Sequence, residues 1–373
     1  MRKTLVVTND FPPRQGGIQS FVHQLAIRQP EESVVVYASD HDGSAAFDAQ
    51  QPFPVIRHPG GIITPTPRVR GRVVDALREH GCTSVWFGAA APLGLLAPAL
   101  RTAGAERLVA TTHGHEVGWA MLPGGRRSLR RIGEGCDIVT YLGEYTRRRM
   151  AGAFGPRADL RQLTPGVDID TFAPTDAGEV IRVRYGLMGR PVIVCVSRLV
   201  PRKGQDKLIE ALPEIRRRVP DAALLLVGRG KHHDDLLSLA QRHGVAEHVV
   251  LTGGVPSDEL PAHYAAGDVF AMPCRTRRAG MDVEGLGIVF LEASAVGLPV
   301  LAGDSGGAPD AVIAGETGFV VDGRNVAAIT ARLVQLLQDA ELRRHMGQAG
   351  RAWVEREWQW DQLATRLRGW LDE

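Results

Sequence analysis

A chain of 373 residues is long for one hydrophobic core and comfortable for two domains of ordinary size. Its 44% apolar and 23% charged residues, with 43 glycines that follow no period, exclude fibrous, low-complexity and disordered classes. The formal net charge of +2 gives no global pull toward nucleic acid, which is not expected as a partner, so any electrostatic partner has to be met by a local patch.

The four cysteines, Cys82, Cys136, Cys195 and Cys274, form no CxxC pair and have no histidine at ligand spacing, which fits reduced thiols in a cytoplasmic protein. The opening MRKTLVVTNDFPPR has too short an apolar run for an export signal. Val85 to Leu100, the longest apolar stretch, contains Pro92 and Pro98 and falls short of the ~20 residues that span a bilayer.

Taken in order, Leu5 to Thr8 predicts a buried strand, followed by a loop whose Gly16-Gly17 pair opens an amphipathic helix. Strand, glycine loop and helix start together make an anion site, because backbone N–H groups there point at a phosphate. A bare Gly-Gly pair also makes a simple turn, and the dinucleotide pattern GxGxxG is absent. Strands follow at Ser33 to Ala38, Ser84 to Phe87 and Arg107 to Thr111, alternating with helical segments, which predicts a parallel doubly wound sheet. The last of these runs into THGHE and so places His113 at a strand's carboxyl end, where ligands sit in such sheets. His113, His115 and Glu116 lack the spacing of a hydrolytic zinc site, and no metal is expected. Between Arg68 and Arg149 stand 13 arginines and 7 acidic residues, clustered as RVRGR, RRSLRR and YTRRR, with GWAML just before the second cluster. Arginine beside apolar and aromatic residues suits an anionic membrane surface, although solvated helix faces read the same way.

At Thr164 the text turns to TPGVDIDTFAPTDAG, a domain boundary. The alternation then restarts with strands at Pro191 to Val196, Ala222 to Val227, His248 to Thr252, Val269 to Met272 and Pro299 to Ala302. The first delivers SRLVPRKGQD, whose Arg198 and Lys203 precede a helix and suit a diphosphate, one as a fork and one as a point charge. The second ends in GRGKHH, a turn that lacks the third glycine of the dinucleotide motif. Farther on, Glu284 and Glu292 bracket seven residues that are apolar or glycine. A continuous helix from 285 to 292 would hold them about 12 Å apart along its axis and about 80° apart around it. That separation suits a ligand with two polar ends better than a shared-proton dyad. Four tryptophans mark the helical tail as a packing segment.

In combination GGIQS, THGHEVGW, SRLVPRKGQD, EGLGIVFLE and SGGAPD resemble the retaining GT-B glycosyltransferases of family 4, over nearly the whole chain and in the right order. TNDFPPRQGGIQS, VWFGAAAPL and PCRTRRAGMDVEGLGIV resemble more closely its actinobacterial PimB-type mannosyltransferases, which extend phosphatidylinositol monomannoside from GDP-mannose. The resemblance implies an α/β protein of two doubly wound Rossmann-like domains facing a central cleft. Residues 1–165 would bind acceptor, residues 166–350 would bind the nucleotide sugar, and residues 351–373 would pack back on the first domain. It implies that Arg198 and Lys203 hold the donor diphosphate with Gly16 and Gly17, that Glu284 binds mannose hydroxyls, and that Glu292 binds the ribose. His113 would face the reacting sugar, backbone near Val255 and Ile288 would meet the nucleoside, and Asp10 or Arg14 would reach acceptor hydroxyls. No metal or cofactor is implied, and a lipid acceptor implies a peripheral place on the inner face of the cell membrane. Two rivals remain at this point: a relative with a UDP-sugar donor or another glycolipid acceptor, and a non-catalytic nucleotide-sugar sensor.

Overall fold

Short runs of β-branched and apolar residues, buried along their whole length and not at alternate positions, build the interior of both halves of the chain. Such continuous burial belongs to strands covered by helices on both faces. In the computed structural model, which describes residues 1–280 and 282–373, the TLVVT of β1 (Thr4–Thr8) and the VVVYAS of β2 (Val34–Ser39) are wholly buried. With β3 (Val55–His58), β4 (Ser84–Phe87), β5 (Arg107–Thr111), β6 (Ile138–Tyr141) and β7 (Asp159–Gln162) they form a parallel sheet in the order β3-β2-β1-β4-β5-β6-β7. This first unit comprises Met1–Gly166 and Trp360–Glu373.

The second unit, Val167–Gln359, repeats the plan. Its strands are β8 (Val192–Val196), β9 (Ala223–Val227), β10 (Val249–Gly253), β11 (Val269–Met272), β12 (Val300–Gly303) and β13 (Gly318–Val321). All are parallel, in the order β10-β9-β8-β11-β12-β13. Both sheets are Rossmann-like, as the sequence predicts. Each reverses its winding beside its first strand, between β1 and β4 and between β8 and β11, and ligands of open α/β sheets bind beyond the carboxyl ends of such pairs. The loops that follow β1, β4, β8 and β11 carry most of the residues singled out in the sequence.

Four strands escaped the sequence pattern. β3, β7 and β13 are partly solvated edge strands: the DLRQ of β7 is polar, half of the VIRH of β3 is basic, and the short GFVV of β13 opens on a glycine. β6 is apolar, but its four residues lie between two arginine-rich helices. The tail also differs from expectation. Helix Ala340–Glu357 stays with the second unit, where Trp353 and Trp358 are buried in the core. Only helix Trp360–Asp372 packs on the first, its Leu363, Ala364, Leu367 and Leu371 buried with Phe21, Val22 and Leu25. The return to the first unit thus starts at Trp360 and not at residue 351, because unbroken helical periodicity from Ala340 onward conceals the break. Ion pairs Arg28–Asp361 at 2.8 Å and Arg107–Glu373 at 2.5 Å hold it there.

Two helical glycines have opposite surroundings. A Cβ on Gly347 would lie 2.0 Å from the Gly297 carbonyl oxygen, whereas one on Gly369 meets nothing within 4 Å. Gly347→Ala is expected to lose about 1–3 kcal/mol of stability through overpacking. Gly369→Ala is expected to gain up to about 1 kcal/mol from helix propensity. Denaturant melts of both variants check the pair.

Candidate active site

In the second unit β8 hands over to Ser197 and Arg198, a single turn at Pro201–Lys203, and Gly204. Gly204 has φ 82°, and a Cβ there would stand 2.1 Å from the Pro273 carbonyl oxygen, so only glycine starts the following helix, Gln205–Arg218, this close to the loop after β11. The turn folds Lys203 inward to 7% exposure, and its Nζ lies 2.7 Å from Oε2 of Glu284, itself 6% exposed. Two desolvated charges of this kind are stable only as a pair. The Glu284 backbone is fixed as well: its N–H donates to the Ser305 hydroxyl at 3.3 Å, and its carbonyl accepts from the Gly307 N–H at 2.9 Å. Arg202 stands behind the pair, with Nε 3.7 Å from Glu284 and a guanidinium nitrogen 3.8 Å from Asp282. Arg275 clamps Asp206 through two 2.8 Å bonds and so ties the loop after β11 to the helix that follows Lys203.

Arg198 is exposed, and among the described residues its guanidinium has no ion pair or hydrogen bond. It lines a groove of about 640 Å³ with Gly228, Arg229, Gly254, Val255 and Pro256. The loops after β8 and β9 are laced together at this groove, since the Leu199 N–H donates to the Arg229 carbonyl at 2.9 Å.

Helix Ile288–Val296 begins at Gly287, whose left-handed backbone, φ 82°, ends any continuity with residue 285. The axial estimate for Glu284 and Glu292 therefore fails: Glu284 precedes the helix, and Glu292 lies in its second turn. No side chain caps the start at Ile288. Glu292 accepts a 2.5 Å hydrogen bond on Oε2 from the hydroxyl of the fully buried Tyr264. Burial raises the Glu292 carboxyl above its ordinary range, and the tyrosine bond opposes that rise. Oε1 has no such partner and faces the rest of its surroundings alone among the described residues.

In the first unit Gly16 and Gly17 open helix Gly17–Ala26, which no side chain caps. Gln19, buried in that helix, donates to Oδ1 of Asp10 at 2.8 Å and lies against Gly16, so one amide joins the two predicted positions. Arg14 is exposed on the same loop. His113 follows β5, and its Nε2 donates to the Gly88 carbonyl beyond β4 at 2.6 Å. That bond sets the tautomer and leaves Nδ1 as an acceptor. Burial lowers its pKa to about 4, against which the Gly88 bond works. Glu116, wholly buried, holds the backbone of this loop: its Oε2 accepts from the His113 N–H at 3.0 Å, and its Oε1 is 3.3 Å from His115 Nε2. Desolvation pushes the Glu116 carboxyl up.

Sequence reasoning thus missed Arg202, Tyr264, Gln19 and Glu116 as supports. Gln19 sat in the quoted GGIQS and Arg202 inside the Arg-x4-Lys spacing, but Tyr264 left no local signal. No group of three or more His, Cys, Asp or Glu side chains among the described residues is placed to hold a metal ion.

With a pKa near 4 in the folded chain and about 6.5 in the unfolded one, His113 binds fewer protons when folded. Its contribution makes stability rise with pH between those values and level off above them. The His113 Cε1 proton resonance is expected to keep its neutral position from about pH 8 down to about pH 5.5, and a midpoint near 6.5 would contradict it.

Residues 15–171 match the family model described as Glycosyltransferase Family 4, and residues 179–353 match Glycosyl transferases group 1. A GDP-mannose-dependent alpha-(1-6)-phosphatidylinositol monomannoside mannosyltransferase of Mycolicibacterium smegmatis is 56% identical over 97% of this chain and 96% of its own. The protein of that name from Mycobacterium tuberculosis H37Rv is 55% identical over 100% of this chain and 98% of its own. Among solved structures, Anabaena Alr3699/HepE in complex with UDP has a TM-score of 0.81 at 21% identity over 99% of both chains, a likeness of fold.

Proposed function

Because the chain belongs to glycosyltransferase family 4, together with GDP-mannose-dependent phosphatidylinositol monomannoside mannosyltransferases, we propose that it transfers mannose from GDP-mannose to a phosphatidylinositol monomannoside, forming an alpha-1,6 bond. The observation that carries this reading is the buried Lys203–Glu284 pair beside the unpartnered Arg198, at the winding reversal of the second sheet. There two cations serve the diphosphate, and Glu284, held by its backbone, accepts bonds from mannose hydroxyls. Glu292 offers its free oxygen to the ribose, and Val255 with the open helix start at Ile288 meets the nucleoside. From the first unit, Gly16 and Gly17 supply N–H groups for phosphate, Asp10 and Arg14 reach acceptor hydroxyls, and neutral His113 presents Nδ1 to a sugar hydroxyl.

Transfer is retaining and needs no metal in this reading. The bond from the anomeric carbon to the donor phosphate oxygen breaks as the acceptor hydroxyl bonds to that carbon on the same face. The departing phosphate oxygen takes the hydroxyl proton, and Arg198 and Lys203 stabilise the charge that builds on the diphosphate. Losing one such group typically lowers turnover ~100- to 1,000-fold. Purified protein with radiolabelled GDP-mannose and the monomannoside is therefore expected to yield a dimannoside, with Arg198→Ala and Lys203→Ala reduced by about that factor. Transfer from a UDP-sugar in place of GDP-mannose would overturn the donor assignment. Tight GDP-mannose binding without transfer would favour the sensor.

The acceptor's acyl chains stay in a membrane, so the enzyme has to reach one. No helix among the described residues is long and apolar enough to cross it. Met121 and Leu122 are 57% and 63% exposed at the start of helix Pro123–Gly135, which carries the exposed Arg126, Arg127, Arg130 and Arg131. Among the described residues none of these four is ion-paired, whereas Arg147 and Arg148 are taken up by Glu144. Only those two arginines of the third cluster are paired in this way, while the exposed Arg68, Arg70 and Arg72 of the first carry no ion pair among the described residues. We assign helix Pro123–Gly135 to peripheral docking on an anionic leaflet, where each arginine near the surface is worth roughly 1 kcal/mol. Vesicles rich in phosphatidylinositol are expected to sediment the protein at low ionic strength, with Arg126→Glu/Arg130→Glu remaining in the supernatant. Equal sedimentation of both would contradict the assignment.

A further inference from the structure

The groove at Arg198 contains a second cation that the transfer chemistry does not use. A Cβ built on Gly254 would lie 2.5 Å from Nε, 2.9 Å from Cδ and 3.1 Å from Cγ of Arg229. The arginine stem therefore lies along the Gly254 backbone, in space that only glycine leaves open, and Arg229 lines the groove together with Val255 and Pro256. Among the described residues it has no carboxylate partner, and no acidic residue lines the groove. Two cations without a neutralising acid select an electron-rich ligand. Arg198 and Lys203 already serve the phosphates in the reading above, and a phosphate has no use for an apolar wall. A flat ring does.

We propose that Arg229 reads the guanine of the donor, its fork donating to O6 and N7 while the ring lies against Val255 and Pro256. The inference rests on the nucleotide-sugar reading above and names the residue that selects its base. Guanine presents two adjacent acceptors on this edge and is the common partner of an arginine fork. Adenine replaces one of them with an amino donor, and a pyrimidine lacks the pair, so ADP and UDP gain nothing from the guanidinium. The signal in the sequence was GRGKHH, where the missing third glycine directs attention away from the arginine between the first two.

Calorimetry tests it with GDP, 7-deaza-GDP, ADP and UDP against the wild type, Arg229→Ala and Arg229→Lys. Arg229→Ala is expected to weaken GDP roughly 10- to 100-fold and to leave ADP and UDP nearly unchanged. Arg229→Lys keeps the charge but loses the fork, so it is expected to stay weakened toward GDP. The wild type is expected to bind 7-deaza-GDP less tightly than GDP, with that difference shrinking in Arg229→Ala. Equal losses for all three diphosphates would place Arg229 on the phosphates and overturn the inference, as would unchanged GDP binding in Arg229→Ala. A wild type that binds UDP but not GDP would overturn the donor assignment itself, and guanine reading with it.

Discussion

An ammonium and a carboxylate withdrawn from water at 2.7 Å hold the second unit's site together. Neither Lys203 nor Glu284 tolerates that burial alone, since removing one partner of such a pair typically costs 3–5 kcal/mol, roughly. Their attraction joins the loop after β8 to the loop after β11, the two strands between which the winding of the sheet reverses. Gly204 permits the approach by giving the Pro273 carbonyl its space, and the Arg275–Asp206 clamp ties the loop after β11 to the helix that follows Lys203. In the proposed function these two charges serve the diphosphate sugar, Lys203 at phosphate and Glu284 at mannose, and preorganised charges of that kind cost little at the moment of transfer.

Most of the fold was legible because parallel strands buried on both faces leave unmistakable apolar runs, from LVVT in β1 to VFAM in β11. Three of the four edge strands, β3, β7 and β13, were not, being partly solvated, whereas the edge strand β10 kept the apolar run VVL and was legible. In the site, residue types could be read but not their partners. Lys203 and Glu284 each stood out as a charge in a glycine-rich or apolar setting, yet nothing local says that they meet. The separation of Glu284 and Glu292 was reckoned for a continuous helix from 285, a condition that fails because Gly287 takes the left-handed conformation, which lies outside a helix. Tyr264, which donates to Glu292, lies in a buried helix with no polar pattern around it.

Charge clusters needed the structure most. A run of arginines reads the same whether it faces solvent, lipid or its own carboxylates. Glu144 takes up Arg147 and Arg148, while the arginines of helix Pro123–Gly135 are left open beside exposed Met121 and Leu122. Burial likewise decides the role of the first unit's histidine. Holding His113 neutral, with Nε2–H fixed on Gly88, turns a titratable ring into a hydrogen-bond acceptor of constant character near neutral pH.

Calorimetric affinity for GDP, compared among the wild type, Lys203→Met and Glu284→Gln, tests most directly whether the buried pair is a donor device. If Lys203 grips phosphate and Glu284 grips sugar, Lys203→Met weakens GDP at least about tenfold, the share of one charge-assisted contact. Glu284→Gln, which frees the ammonium from its carboxylate and removes a group that GDP does not touch, then binds GDP at least as tightly as the wild type. Equal weakening in both variants would mean that the pair only holds the two loops together, and would contradict the account.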